Sequence, residues 1–167
     1  MIDLFKRSIV DQMEASLCML DECIRECPDD GWDGAVAKYP FWHVAYHALC
    51  YVDVYLSANN DAWQPQTGAD GLHPKGREEL EEEYPSRRFG RRELIEYLAI
   101  CREKLRTALA AETAESLAGE SGFSHLPIPR AELHLYNLRH VQHHIGQLGA
   151  YVRRLDRSPG WVKTGWQ

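Results

Sequence analysis

HLYNLRHVQHHIGQLGAYVRR, residues 134–154, carries four of the chain's eight histidines, no proline, and apolar residues at helical spacing. On an α-helix, His140 and His144 lie one turn apart, about 40° apart around the axis, with their side chains stacked on one face. Two imidazoles so placed can bind one transition-metal ion, which is the physical content of an H-x-x-x-H pair. A metal site wants a third protein ligand, and the rest of the chain has to supply it.

Working outward, three more long helices are expected. Ile2, Phe5, Ile9, Met13, Leu17, Leu20 and Ile24 recur at threes and fours over residues 2–27, and Pro28 and Gly31 end that helix. A loop to about residue 39 carries Trp32, read as a lid over the bundle end. Pro40 then opens a second helix over about 40–58, apolar nearly all round and so expected to be central. A third helix covers about 91–112, with Leu94, Leu98, Cys101, Leu105 and Leu109 on one stripe, and the fourth covers about 130–156 after Pro129. Residues 59–90 are the least regular part. Within them the acidic run Glu78 to Glu83 reads as a short solvated helical turn, and the length of the segment suggests that it covers a site. Trp161 and Trp166 of the tail are expected to pack back. With no convincing strand, the fold class is all-α: a four-helix bundle in one domain, 1–167, with a long irregular connection between helices 2 and 3 that would place these on non-adjacent corners.

Composition narrows the function. Hydrophobic residues make up 44% and charged residues 26%, the net charge is −6, and nothing suggests attraction to nucleic acid or membrane. The N-terminus MIDLFKRS has no apolar h-region and no run of about 18 apolar residues exists, so the expected location is the cytoplasm. The five cysteines include no C-x-x-C. Cys23 and Cys27, i,i+4 on a helix, can in principle bind metal or cross-link, but the preferred reading is five reduced core residues.

Six histidines fall in helices two and four, and the most favourable shared partner for several neutral imidazoles on facing helices is a divalent metal. His47, one turn inside helix two, can meet His140 and His144. His43, i,i+4 from His47, stays open as an alternative or additional ligand, although its first-turn position makes exposure the expectation. His143 sits about 100° from His144 and reads as a rim residue. His134 is expected on the surface, and the loop residues His73 and His125 are given no role. Gln147 and Asn137 can orient ligands, Tyr51 and Tyr46 can donate phenolic protons, and Gly146 can admit a close neighbour. Asp53 is off the His47 face and is expected to make a helix–helix hydrogen bond.

NLRHVQHHIGQLGAYVRR resembles the terminal signature of the DinB/YfiT-like superfamily, an H-x-x-x-H-x-G-Q pattern carried here by His140, His144, Gly146 and Gln147. His47 in FWHVAYHALCYVD matches the family's other ligand position. The resemblance implies an up-up-down-down-like bundle, a metal site formed by His47, His140 and His144, and a homodimer. It also implies chemistry of the kind done by thiol-dependent S-transferases and isomerases, with a low-molecular-weight thiol as cofactor and a small electrophile as substrate. Imidazole suits zinc, nickel, iron and copper, with zinc, nickel or iron the first expectations. Two other readings stand beside this one: a non-catalytic module stapled by metal, and a metal-dependent hydrolase. The hydrolase is weakened because no Glu lies in the His140–His144 segment to serve as base.

Overall fold

The computed structural model describes residues 1–63 and 87–167. The expected acidic turn at 78–83 and His73 lie outside the described residues. Four long helices dominate: α1 (Ile2–Glu26), α2 (Phe41–Tyr55), α3 (Arg91–Ala111) and α5 (Arg130–Arg154), with a short α4 (Ala114–Ala118) before the last. Each buries one apolar stripe, with Leu17, Leu20 and Ile24 of α1, Leu94, Leu105 and Leu109 of α3, and Leu133, Val141, Leu148 and Val152 of α5 meeting Leu49 and Val52 of α2. α2 is the central element. Every residue of it is buried except His47 and Tyr51, which lie one turn apart.

Hydrogen bonds between helices fix the topology. Gln142 donates to Ser16 Oγ at 2.6 Å, and Cys23 lies beside Gly149, so α1 and α5 run parallel. Asn137 donates to the Val52 carbonyl at 3.4 Å and Arg130 to that of Ser57 at 2.7 Å, so α2 and α5 run antiparallel. Lys6 reaches the Ala110 carbonyl while Arg91 reaches that of Cys27, which makes α1 and α3 antiparallel. Cys101 reaches the Leu49 carbonyl and Lys104 reaches Asp53, so α2 and α3 are parallel neighbours. The order around the bundle is α1–α5–α2–α3, with α1 and α2 diagonal. Two expectations are therefore corrected. The direction is up-down-down-up rather than up-up-down-down, and α2 and α3 share a face instead of sitting on non-adjacent corners. Parallel neighbouring helices cannot be joined by a tight turn, and residues 56–90 separate α2 from α3 in sequence.

Trp32 closes one end of the bundle as expected, buried and donating its indole N–H to the Phe89 carbonyl at 3.0 Å. A two-residue antiparallel hairpin, β1 (Ala35–Val36) with β2 (Tyr39–Pro40), precedes α2, so Pro40 caps the helix from outside rather than beginning it. α2 also ends at Tyr55, short of the expected 58. In the tail, Trp166 packs under the Arg102 guanidinium, 3.5 Å from its ring centroid, but Trp161 is 75% exposed and does not pack back. The five cysteines are free and buried, and burial pushes the Cys23 and Cys27 thiols up to about 12, which leaves them unreactive core residues.

Asp53 makes the helix–helix contact expected of it. Fully buried, it accepts from Trp63 Nε1 at 2.9 Å, from the Tyr97 hydroxyl at 2.9 Å and from Lys104 Nζ at 2.5 Å. A buried carboxylate needs such partners, and this network ties α2 to α3 on the side away from His47.

Candidate metal centre

Helix α2 brings one imidazole, His47, and helix α5 brings two, His140 and His144. One ring nitrogen from each of the three lies within 4.8 Å of the other two. The His47 ring centroid is 5.4 Å from that of His140 and 4.8 Å from that of His144. His140 Nε2 and His144 Nε2 are 3.2 Å apart.

These distances fit one ion. Two imidazole nitrogens bound at 2.0–2.1 Å with tetrahedral angles sit about 3.3 Å apart, close to the separation found. The tautomer of His144 fits as well. Its Nδ1 lies 3.0 Å from the Gln147 side-chain oxygen, which can only accept, so neutral His144 carries its proton on Nδ1 and turns the Nε2 lone pair to the centre. An all-imidazole donor set is compatible with a divalent transition metal.

Burial keeps the cluster unprotonated. It pushes His47 down to about 3, with His144 and His140 adding to the shift, and His140 down to about 4, with His144 and His143 adding. Burial also lowers His144, against a smaller rise from Gln147. At neutral pH the lone pairs are available without a proton having to leave. In the metal-free protein the unfolded chain takes up protons first, because its imidazoles titrate near about 6.5. The cluster's contribution to stability is therefore present above pH about 6.5 and is lost as pH falls toward 4 and then 3. Urea midpoints of chelator-treated protein across this range should fall with pH, and less in a variant with His47→Gln.

Beside the imidazoles opens a cavity of about 680 Å³. His47 and His140 form one end, Tyr51, Tyr55 and Tyr136 the wall, and Asn60, Ser124 and His125 the mouth. The two incompletely buried residues of α2, His47 and Tyr51, thus face this space. A ring at Tyr51 stands 4.7 Å from His47 and 5.0 Å from His140.

The other sequence expectations divide. His143 is exposed and only touches His144 edge-on, as a rim residue would. His43 is buried instead of exposed, its ring stacked on Trp42 at 5.5 Å, and it is not in the three-nitrogen cluster. His134 is also buried instead of on the surface. Its Nε2 meets Glu112 at 3.0 Å, next to the Glu112–Arg130 ion pair at 2.8 Å. That carboxylate, 22 residues away in sequence, lets the imidazole enter the core. Asn137 turns to the α2 backbone rather than to a histidine, and Tyr46 stacks on Phe89 at 4.2 Å inside the core. Gly146 is exposed and has no neighbour where a Cβ would stand; Gly149 is the glycine that meets α1, at Cys23. His125, given no role by spacing, lines the cavity mouth, and only its place in a loop between two helices hinted at this.

Gln147 gives a direct test of the arrangement. Gln147→Leu removes the acceptor that fixes His144, and metal affinity should fall by about 10–100-fold, measured by competition with a chromophoric chelator.

A four-helix bundle in which two facing helices bring three imidazoles together beside a cavity defines a class: helical-bundle proteins with a three-histidine cluster able to hold one metal ion. A model of the DinB superfamily matches residues 12–148, which include all three histidines, and the chain belongs to that superfamily. Comparison with curated proteins and with solved structures gives no significant match. No helix among the described residues is long and apolar enough to cross a membrane.

Proposed function

We propose that residues 1–167 form one DinB-like domain that holds a divalent transition metal on His47, His140 and His144. It works as a metal-dependent enzyme on small molecules, with thiol-dependent S-transfer to an electrophile as the favoured reaction. The observation that carries this reading is the convergence of three neutral ring nitrogens, two of whose imidazoles, His47 and His140, line a 680 Å³ cavity. Three protein ligands leave coordination positions for water or substrate, which is the pattern of catalytic rather than structural sites. When bound, the ion supplies Lewis acidity and lowers the pKa of a coordinated thiol or water toward neutrality.

The chain's own residues do the rest. Gln147 holds the His144 ring in its ligating tautomer. Burial keeps His47 and His140 deprotonated. Tyr51 walls the space directly against two of the three imidazoles. No thiol nucleophile of the protein competes for the role, because the five cysteines are buried in the core. An external thiol is therefore the sulfur source in this reading, and the family resemblance supports it together with a homodimer; an N-terminus without an apolar h-region supports a cytoplasmic location.

The experiment is consumption of a small electrophile by metal-loaded protein with glutathione, bacillithiol or mycothiol supplied in turn. Turnover that depends on one thiol and on the metal is expected. Metal-loaded protein that consumes no electrophile with any of them removes the transferase and leaves a metal-stabilised binding module.

A further inference from the structure

The wall of the cavity carries aromatic rings that touch one another directly or through the buried Phe123 behind them. Starting from His140, Tyr51 stands at 5.0 Å, Tyr55 follows at 5.4 Å from Tyr51, and Tyr136 meets Tyr55 at 5.5 Å in an edge contact. Phe123 also meets Tyr55, at 5.3 Å, and His125 meets Phe123 at 6.1 Å, which carries the run from the imidazole cluster to the mouth. No carboxylate, lysine or arginine lines this space among the described residues. Such a surface recognises flat π-systems, since ring faces and edges complement one another in offset and perpendicular contacts.

Tyrosine walls also suit cations, and two features decide against one here. The Arg139 guanidinium already lies 5.2 Å from the Tyr136 centroid, so a cation at that ring would meet a like charge. An ion held by three neutral imidazoles leaves the inner end of the cavity with a net positive charge, which repels a cation and attracts a neutral or anionic donor.

We propose that this cavity binds a planar, conjugated small molecule, neutral or anionic, with its ring on Tyr51, Tyr55 and Tyr136 and its polar end toward the three histidines. The proposal rests on the metal-centre reading and adds the class of molecule that fills the space beside it. Tyr51 and Tyr136 are the specificity-determining residues that can be changed most safely, because both are only half-buried.

The test uses full-length protein loaded with cobalt(II), with metal per chain measured first and thiol binding then read from the cobalt absorption spectrum. Phenylmethanethiol and cyclohexylmethanethiol carry the same thiol on a flat and on a puckered six-carbon ring. The flat ligand should bind about fivefold more tightly, the value of one good aromatic contact. In Tyr51→Leu and Tyr136→Leu the preference should shrink toward unity while metal content stays at the wild-type level. Equal affinities in the wild type, or a preference that survives both substitutions, overturns the proposal and leaves the metal centre standing. Tighter binding of (2-mercaptoethyl)trimethylammonium than of phenylmethanethiol overturns it in favour of a cation cage. A chain that takes up no cobalt overturns both this proposal and the metal centre beneath it.

Discussion

Replacing His140 by alanine should take the protein from one bound divalent ion per chain to none at micromolar metal, measured by elemental analysis after gel filtration. His140 is the residue to choose because it belongs to the three-nitrogen cluster and also lines the cavity. Its Nε2 is 3.2 Å from that of His144, and its ring centroid is 5.4 Å from that of His47. Two imidazoles remain after the substitution, on different helices, and neither has another ligand among the described residues to replace the lost one. Loss of metal removes its linkage to folding as well. An ion at 1,000 times its Kd stabilises the folded state by about 4 kcal/mol. For a chain of this size that is about 8–16 °C in Tm. Chelator should therefore lower the wild-type Tm by that amount and leave His140→Ala unmoved. Unchanged metal content in the variant would show that these three histidines are not the ligands.

Asp53→Ala should produce the largest loss of stability unrelated to metal. The carboxylate is fully buried and serves Trp63, Tyr97 and Lys104 at once. Truncation removes the carboxylate that the Trp63 indole N–H, the Tyr97 hydroxyl and the Lys104 ammonium share, and leaves that partly buried positive charge without its counter-charge. Breaking a buried pair in this way costs about 3–5 kcal/mol. Lys104 is 28% exposed and can turn partly to water, which places the expectation at the lower end, about 3 kcal/mol. Urea unfolding of metal-free protein measures it, and Asp53→Asn should recover part of the loss because an amide oxygen can still accept from Trp63 and Tyr97. A change below about 1 kcal/mol would mean that the network is not what joins α2 to α3.

Much of the site was readable from residue spacing because helices turn spacing into geometry. His140, His144 and Gln147 lie four and three residues apart, and helical periodicity alone places them on one face. His47 was legible for the opposite reason, as a polar residue on a helix otherwise suited to the core. The histidines that misled did so because burial of an imidazole depends on partners remote in sequence. His134 looked like a surface residue until Glu112 and Arg130 folded beside it. His43 looked exposed from its first-turn position, yet Tyr39 of the hairpin and Trp42 cover its ring. That hairpin is two residues per strand, too short for any alternating pattern to reveal. The direction of the helices was equally hidden, since a long connection permits neighbours to run parallel or antiparallel. The cavity is the product of that topology. Only when α2 lies antiparallel to α5 does Tyr51 come level with His140, and only then does the α4–α5 connector bring His125 to the mouth.

X-ray absorption at the zinc edge of zinc-loaded protein tests the central claim most directly. The account predicts a first shell of light scatterers near about 2.0–2.1 Å, with the outer-shell pattern of three imidazoles and no sulfur. A sulfur shell near about 2.3 Å would place the metal on cysteine instead and contradict the assignment to His47, His140 and His144.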